Sequence, residues 1–196
     1  MVHTNPPKRG TQKSWFVSFD VPEVIQIFHD AVQVELARTP GGRPWMRKFP
    51  PHITIRSRFN VSEKREGQLW DALLDLVTTE KVRKFQIRLG RIGMFPENGA
   101  IYLAVDGDEI MSHMAHVTGS LEGVVRVDRR RRRNDNDIPH ITIAKSAQRN
   151  HEHILSMIDG LNGRPNGSFT IERLHVSVRQ VDDNGEWNME RILALR

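Results

Sequence analysis

Two hydrophobic rhythms run along this chain, and their order is repeated. Trp15 to Phe19 alternates and is rich in large apolar residues, which predicts a strand. Asp20, Pro22 and Glu23 then form a capping pattern with proline in the first turn, so the spacing of Val21, Ile25, Phe28, Val32 and Leu36 predicts a helix. A short alternating run at Pro51 to Ile55 predicts the next strand. Leu69, Leu73, Leu76 and Val77 mark a second helix over about Glu63 to Thr79, and Phe85 to Met94 reads as a strand. The second half has the same order. Ile101 to Val105 is a strand, and Ile110, Met114, Val117 and Leu121 mark a helix. Pro139 to Ile143 is a short strand, and Ile154, Leu155, Ile158 and Leu161 mark another helix. Phe169 to Val181 reads as one long strand, and Trp187 to Leu195 as the last. Asn98-Gly99 and Asn184-Gly185 each lie between strand-like runs and predict turns.

Strand, helix, short strand, helix, strand, done twice, predicts an α+β architecture. The expected form is a bilobal duplicated fold with antiparallel sheets, outer helices and a central groove on a pseudo-two-fold axis. Residues 1–13 are polar and read as a disordered lead-in, and 14–196 as a single domain.

The two short strands are the same pentapeptide: Pro51-His52-Ile53-Thr54-Ile55 recurs as Pro139-His140-Ile141-Thr142-Ile143. Alternate side chains of a strand share a face. His52 and Thr54 therefore point one way while Ile53 and Ile55 point into a core, and the second copy repeats this. One His-x-Thr triplet is usually just a strand. Two copies in duplicated surroundings predict two imidazoles and two hydroxyls facing one groove. That set suits phosphoester exchange without a metal. One histidine takes a proton from the attacking hydroxyl or water, and the other gives one to the departing oxygen. An ordinary imidazole pKa near ~6.5 lets both protonation states coexist at working pH. The threonine hydroxyls can hydrogen-bond the non-bridging phosphate oxygens.

Composition narrows the partner. The 196 residues carry a formal net charge of +5, with a sequence pI of about 10.0. That balance suits a polyanion such as RNA. No cysteine is present, so disulfides and thiolate chemistry are excluded. No apolar run approaches the ~18 residues of a membrane span. The chain reads as a cytoplasmic monomer without a membrane role.

With its two His-Ile-Thr motifs the chain resembles the 2H phosphoesterase superfamily, which includes bacterial 2′-5′ RNA ligases and 2′,3′-cyclic nucleotide phosphodiesterases. The resemblance spans about Trp15 to Leu195. It implies a bilobal fold, no metal or other cofactor, and RNA ends or cyclic nucleotides as substrates. By motif, His52 and Thr54 match the first site, and His140 and Thr142 the second. RNA-ligase members often follow the first motif with Phe-Leu-Gly, where this chain has Arg56-Ser57-Arg58-Phe59. The second motif often ends Thr-Leu-Ala-Arg, where this chain has Thr142-Ile143-Ala144-Lys145. The expected activity is opening of 2′,3′-cyclic phosphate ends, by hydrolysis to a 2′-phosphate or by 2′-5′ ligation. The rival is a non-catalytic RNA-binding module of the same fold.

Other candidates follow from position. Arg56 lies two residues past Thr54 and should share its face, where its guanidinium could bind phosphate. Lys145 is one step off the His140 face and is a weaker phosphate ligand by that count. Tyr102, with Phe16 in the matching place of the first half, could stack on a base. The Arg129 to Arg133 run could hold an RNA backbone, and Trp45 could sit on the groove rim. His175-Val176-Ser177 fits a His-x-Ser pattern but has no duplicate, so it reads as ordinary strand. His113, His116, His151 and His153 do not have metal-site spacing, and no Gly-rich phosphate loop is present.

Overall fold

A computed structural model describes residues 13–39, 50–125, 138–145, 151–180 and 188–196 of the chain. Residues 1–12 of the expected lead-in, Trp45, the Arg129 to Arg133 run and the Asn184-Gly185 turn lie outside those residues, whereas Lys13, the last residue of that lead-in, already begins the first strand. The described elements are β1 (Lys13–Asp20), α1 (Glu23–Arg38), β2 (His52–Asn60), α2 (Glu66–Thr78), β3 (Phe85–Phe95) and β4 (Ala100–Asp106). They continue with α3 (Ile110–Glu122), β5 (His140–Lys145), α4 (His151–Asp159), β6 (Ser168–Ile171), β7 (Arg173–Gln180) and β8 (Asn188–Ala194). A single 3₁₀ turn, Glu63–Arg65, leads into α2.

The strands form one antiparallel sheet of order β6-β3-β4-β5-β2-β1-β7-β8, with helices packed against it. The two motif strands, β2 and β5, are neighbours in its middle, with β1 outside β2 and β4 outside β5. The predicted long strand from Phe169 is two strands, broken at Glu172, and the pieces pair near opposite ends of the sheet. In a flat sheet they would be on the order of 25–30 Å apart at ~4.8 Å per strand, a gap that one residue cannot span. The sheet must therefore curl until its ends converge at Glu172. Phe19 of β1 meeting Phe85 of β3 edge-on at 5.1 Å shows the same closure from the core side.

One face of the sheet builds the core. Ile53 and Ile141 are fully buried, as are Trp15, Val17 and Phe19 of β1. They join Ile25, Phe28, Val32 and Leu36 of α1, Leu69, Leu73 and Leu76 of α2, and Met114, Val117 and Leu121 of α3. This is the set that the helical and strand periodicities select. Helix α1 is tied across to the second motif strand, where the Gln33 side chain donates to the Ile143 carbonyl at 2.7 Å. The predicted cap is different: Pro22 is the N-cap and makes no side-chain bond. Asp20 instead ends β1, with Oδ1 accepting the Val21 N–H at 2.9 Å. Among the described residues no helix is long and apolar enough to cross a membrane.

Candidate active site

The seam between β2 and β5 is short, with Ile53 opposite Ile141. In an antiparallel pair that register sets His52 across from Thr142, and Thr54 across from His140. Directly opposed side chains have Cβ atoms about 4.5–5.5 Å apart, and diagonal ones about 7–8 Å. The four motif side chains therefore form one patch, with the two histidines on its diagonal. All four are half-buried, and the isoleucines between them are buried on the other face.

Both imidazoles are anchored in the same way. His52 Nδ1 lies 2.8 Å from the Pro50 carbonyl, and His140 Nδ1 lies 2.8 Å from the Ile138 carbonyl. A carbonyl only accepts, so each Nδ1 carries a proton and donates it. In the neutral ring the basic lone pair is then on Nε2. Pro51 and Pro139 lie between each carbonyl and its histidine. Rings complete the support. Phe16 meets His52 edge-on at 4.9 Å, and Phe95 meets His140 at 4.8 Å.

Strand irregularities decide which further residues join this patch. Val17 pairs with Arg56 and Ser18 with Thr54, so β2 carries one extra residue at Ile55. Ile101 pairs with Ala144 and Tyr102 with Thr142, so β5 carries the matching extra residue at Ile143. Each bulge breaks the two-residue alternation. Arg56 consequently lies opposite Val17, a core residue, and is not brought to the row of His52 and Thr54. Lys145 lies opposite Ala100, on the side of Tyr102, and is exposed. The expected placement of these two cations is thus reversed.

Tyr102 adjoins the patch, opposite Thr142, with its ring 5.5 Å from His140. It is only 8% exposed, and Phe95 stacks on it at 4.3 Å. A Cβ on Gly93, the residue opposite Tyr102, would come within 2.5 Å of Tyr102 Cζ, so the ring lies directly over that glycine. Tyr102 thus backs His140 rather than offering a face to a base. Its register equivalent in the first half is Ser18, opposite Thr54, and not Phe16.

Sequence reading missed three residues on this face. Phe95 sits one position beyond the predicted end of its strand. Asp20 is the cross-strand partner of His52. His175 pairs with Ser18 and is buried on the same side, its Nε2 3.5 Å from Asp20 Oδ2. Burial pushes the His175 imidazole below its ordinary pKa, the Asp20 carboxylate pulls it up, and Arg173 lowers it further. Among the other histidines, His113 and His116 both donate from Nδ1 to the Lys81 carbonyl, far from the motif strands in sequence. Among the described residues, no three His, Asp or Glu side chains are grouped to hold a metal ion.

Comparison with known proteins agrees with this architecture. A family model described as "2'-5' RNA ligase superfamily" matches residues 16–183. Escherichia coli LigT, crystallised with NADP+, superposes with a TM-score of 0.61 at 16% identity, covering 94% of this chain and 98% of that one. TT0787 of Thermus thermophilus gives a TM-score of 0.62 at 14% identity, covering 93% and 98%. No curated protein sequence matches the chain.

Proposed function

The chain belongs to the 2′-5′ RNA ligase superfamily, and from that premise we propose that it opens 2′,3′-cyclic phosphates on RNA ends or nucleotides without a metal. The bond broken is the one to the 3′ oxygen. Attack by water leaves a 2′-phosphate, and attack by an RNA 5′-hydroxyl leaves a 2′-5′ linkage. The carrying observation is the seam that sets two His–Thr pairs on one patch, each histidine with Nδ1 pinned to a carbonyl. That anchoring leaves Nε2 of each ring as the atom that exchanges protons. A patch that only bound RNA would have no use for two rings held in the same tautomer.

In this reading one Nε2 takes the proton of the attacking oxygen as it approaches phosphorus. The other Nε2 gives a proton to the 3′ oxygen as its bond to phosphorus breaks. Thr54 and Thr142 donate to the non-bridging oxygens, where charge builds in the transition state. Lys145, at the end of β5, adds a positive charge on the substrate side. Structures of LigT with 3′-AMP and with ATP give the reading a nucleotide-binding parallel on the same fold.

Product analysis on a panel tests it. The panel is an RNA ending in a 2′,3′-cyclic phosphate, a 2′,3′-cyclic nucleotide, and a 2′-5′-linked dinucleotide. The expected products are 2′-phosphate ends, or a 2′-5′ junction when a 5′-hydroxyl RNA is supplied. A 3′-phosphate product, or RNA binding with no turnover on any member, would overturn it.

The seat of Tyr102 gives a second expectation. Gly93→Ala must displace the ring that backs His140, because its new Cβ would overlap Tyr102 Cζ and Oη. Overpacking of this kind typically costs roughly 1–3 kcal/mol of stability. A displaced ring lets the imidazole wander, so kcat should fall by about tenfold or more with little change in KM. Thermal unfolding and steady-state kinetics on one preparation check both halves, and an unchanged kcat would show that Tyr102 does not position His140.

A further inference from the structure

The two motif strands bulge at the same place but differ in what holds the bulge. Each carries its extra residue one position past the threonine, at Ile55 in β2 and at Ile143 in β5. A bulge leaves that residue out of the ladder, so its backbone groups need another partner. Each strand lies against the helix of the other half, β5 against α1 and β2 against α3. Ile25, Val32 and Leu36 of α1 have the same spacing as Ile110, Val117 and Leu121 of α3, which puts Gln33 and Thr118 in matching places. Gln33 reaches the strand, and its Nε2 donates to the Ile143 carbonyl at 2.7 Å. Thr118 Oγ1 is buried and makes no hydrogen bond among the described residues. We propose that Gln33 is a positioning residue for the substrate phosphate, because it locks the β5 bulge and so holds Lys145 on the phosphate side. This rests on the proposed function, in which Lys145 supplies a positive charge there.

The bulge decides where Lys145 goes. Without the extra residue, the two-residue alternation would carry Lys145 to the face of Ile141 and Ile143, both fully buried. An ammonium there would lose its water and its use to a substrate. With the extra residue, Thr142 pairs with Tyr102, Ala144 with Ile101 and Lys145 with Ala100, and Lys145 is exposed. A slip of one residue would return Ile143 to the ladder and turn Lys145 away. Gln33 opposes that slip. Its amide is fixed to α1 and meets the Ile143 carbonyl in the bulged register. Because Ile143 is fully buried, a carbonyl left without a donor there would be costly. A side-chain amide suits the task, since it donates without bringing a charge into the core.

The lock is thus present in the half whose basic residue faces the substrate side. It is missing at Thr118 in the half whose basic residue, Arg56, lies opposite the core residue Val17.

Calorimetric titration of the full chain with adenosine 2′-phosphate tests this, in wild type, Gln33→Met, Lys145→Ala and the double variant. Methionine keeps the length of the side chain and removes its donor. Lys145→Ala should weaken binding by about tenfold, as for a hydrogen bond to a charged group. Gln33→Met should weaken it by about three- to tenfold. With Lys145 already replaced by alanine, Gln33→Met should add less than about twofold, because the two act through one contact. Gln33→Glu, which replaces the donor by an acceptor, should reproduce the loss, and Thr118→Val should bind as wild type does. Amide hydrogen exchange at Thr142 to Lys145 should quicken in Gln33→Met. Unchanged exchange there, an affinity that either Gln33→Met or Lys145→Ala leaves alone, or equal losses from Gln33→Met with and without Lys145 would overturn the proposal. Binding is read without turnover, so a chain that opens no cyclic phosphate can still show this coupling, and a chain that opens one can still lack it.

Discussion

Alanine at His52 or at His140 is expected to lower the rate of cyclic-phosphate opening by roughly 10²–10⁴-fold, the usual worth of one general acid or base. The loss should fall on kcat, because each imidazole acts on a proton that moves in the transition state and contributes little to ground-state binding. The double variant should be only slightly slower than the worse single one. Once one proton transfer is gone, the other has a less committed transition state to assist, and residues that act as a unit are not additive. Both side chains are half-buried and contribute little to the core, so unfolding midpoints should scarcely move. Thr54→Ala and Thr142→Ala remove donors and not proton carriers. Single-turnover rates of the four variants with their denaturation curves separate these expectations from general damage, and a loss under tenfold in either histidine variant would contradict the mechanism.

The largest effect on stability is expected at the seam. Ile53 is fully buried and lies directly opposite Ile141, where the two motif strands meet. Ile53→Ala removes several buried carbons and leaves a cavity beneath the four motif side chains, at a cost of roughly 2–5 kcal/mol. Ile53→Val, which removes one methyl group, should cost about 0.5–1.5 kcal/mol. Ile27 on α1 is 62% exposed, and Ile27→Ala should stay within about 0.5 kcal/mol of wild type. Denaturant unfolding gives all three values. Equal costs at Ile53 and Ile27 would mean that the seam is not a packed junction.

The central features were legible because a two-residue period is a strong local signal. It placed Ile53, Ile55, Ile141 and Ile143 in the core, and His52, Thr54, His140 and Thr142 together on the other face. What failed was counting past the motifs. The extra residues at Ile55 and Ile143 turn Arg56 away from that face and turn Lys145 onto it, and a bulge has no signature in a run such as Ile-Thr-Ile-Ala. The break at Glu172 was hidden for a related reason. Ser168 to Gln180 is continuously strand-like, and only long-range pairing with β3 and β1 divides it. Asp20 followed by Pro22 and Glu23 has the local form of a helix cap, yet the side chain faces Arg173 and His175. His175-Val176-Ser177 has no duplicate in the sequence, and its pattern cannot show that β7 lies beside β1 and brings His175 to the same face. Gly93 could have been singled out as a glycine inside a predicted strand, a common mark of close approach. Its partner, Tyr102, is visible only in three dimensions.

At the centre of the proposed mechanism, two histidines rather than a metal move the protons. The most direct test is turnover of a 2′,3′-cyclic phosphate RNA by protein held in excess EDTA, with the product end identified. The expected result is an undiminished rate, a 2′-phosphate product, and loss of that activity in His52→Ala and His140→Ala. A rate abolished by EDTA and restored by a divalent cation would contradict it.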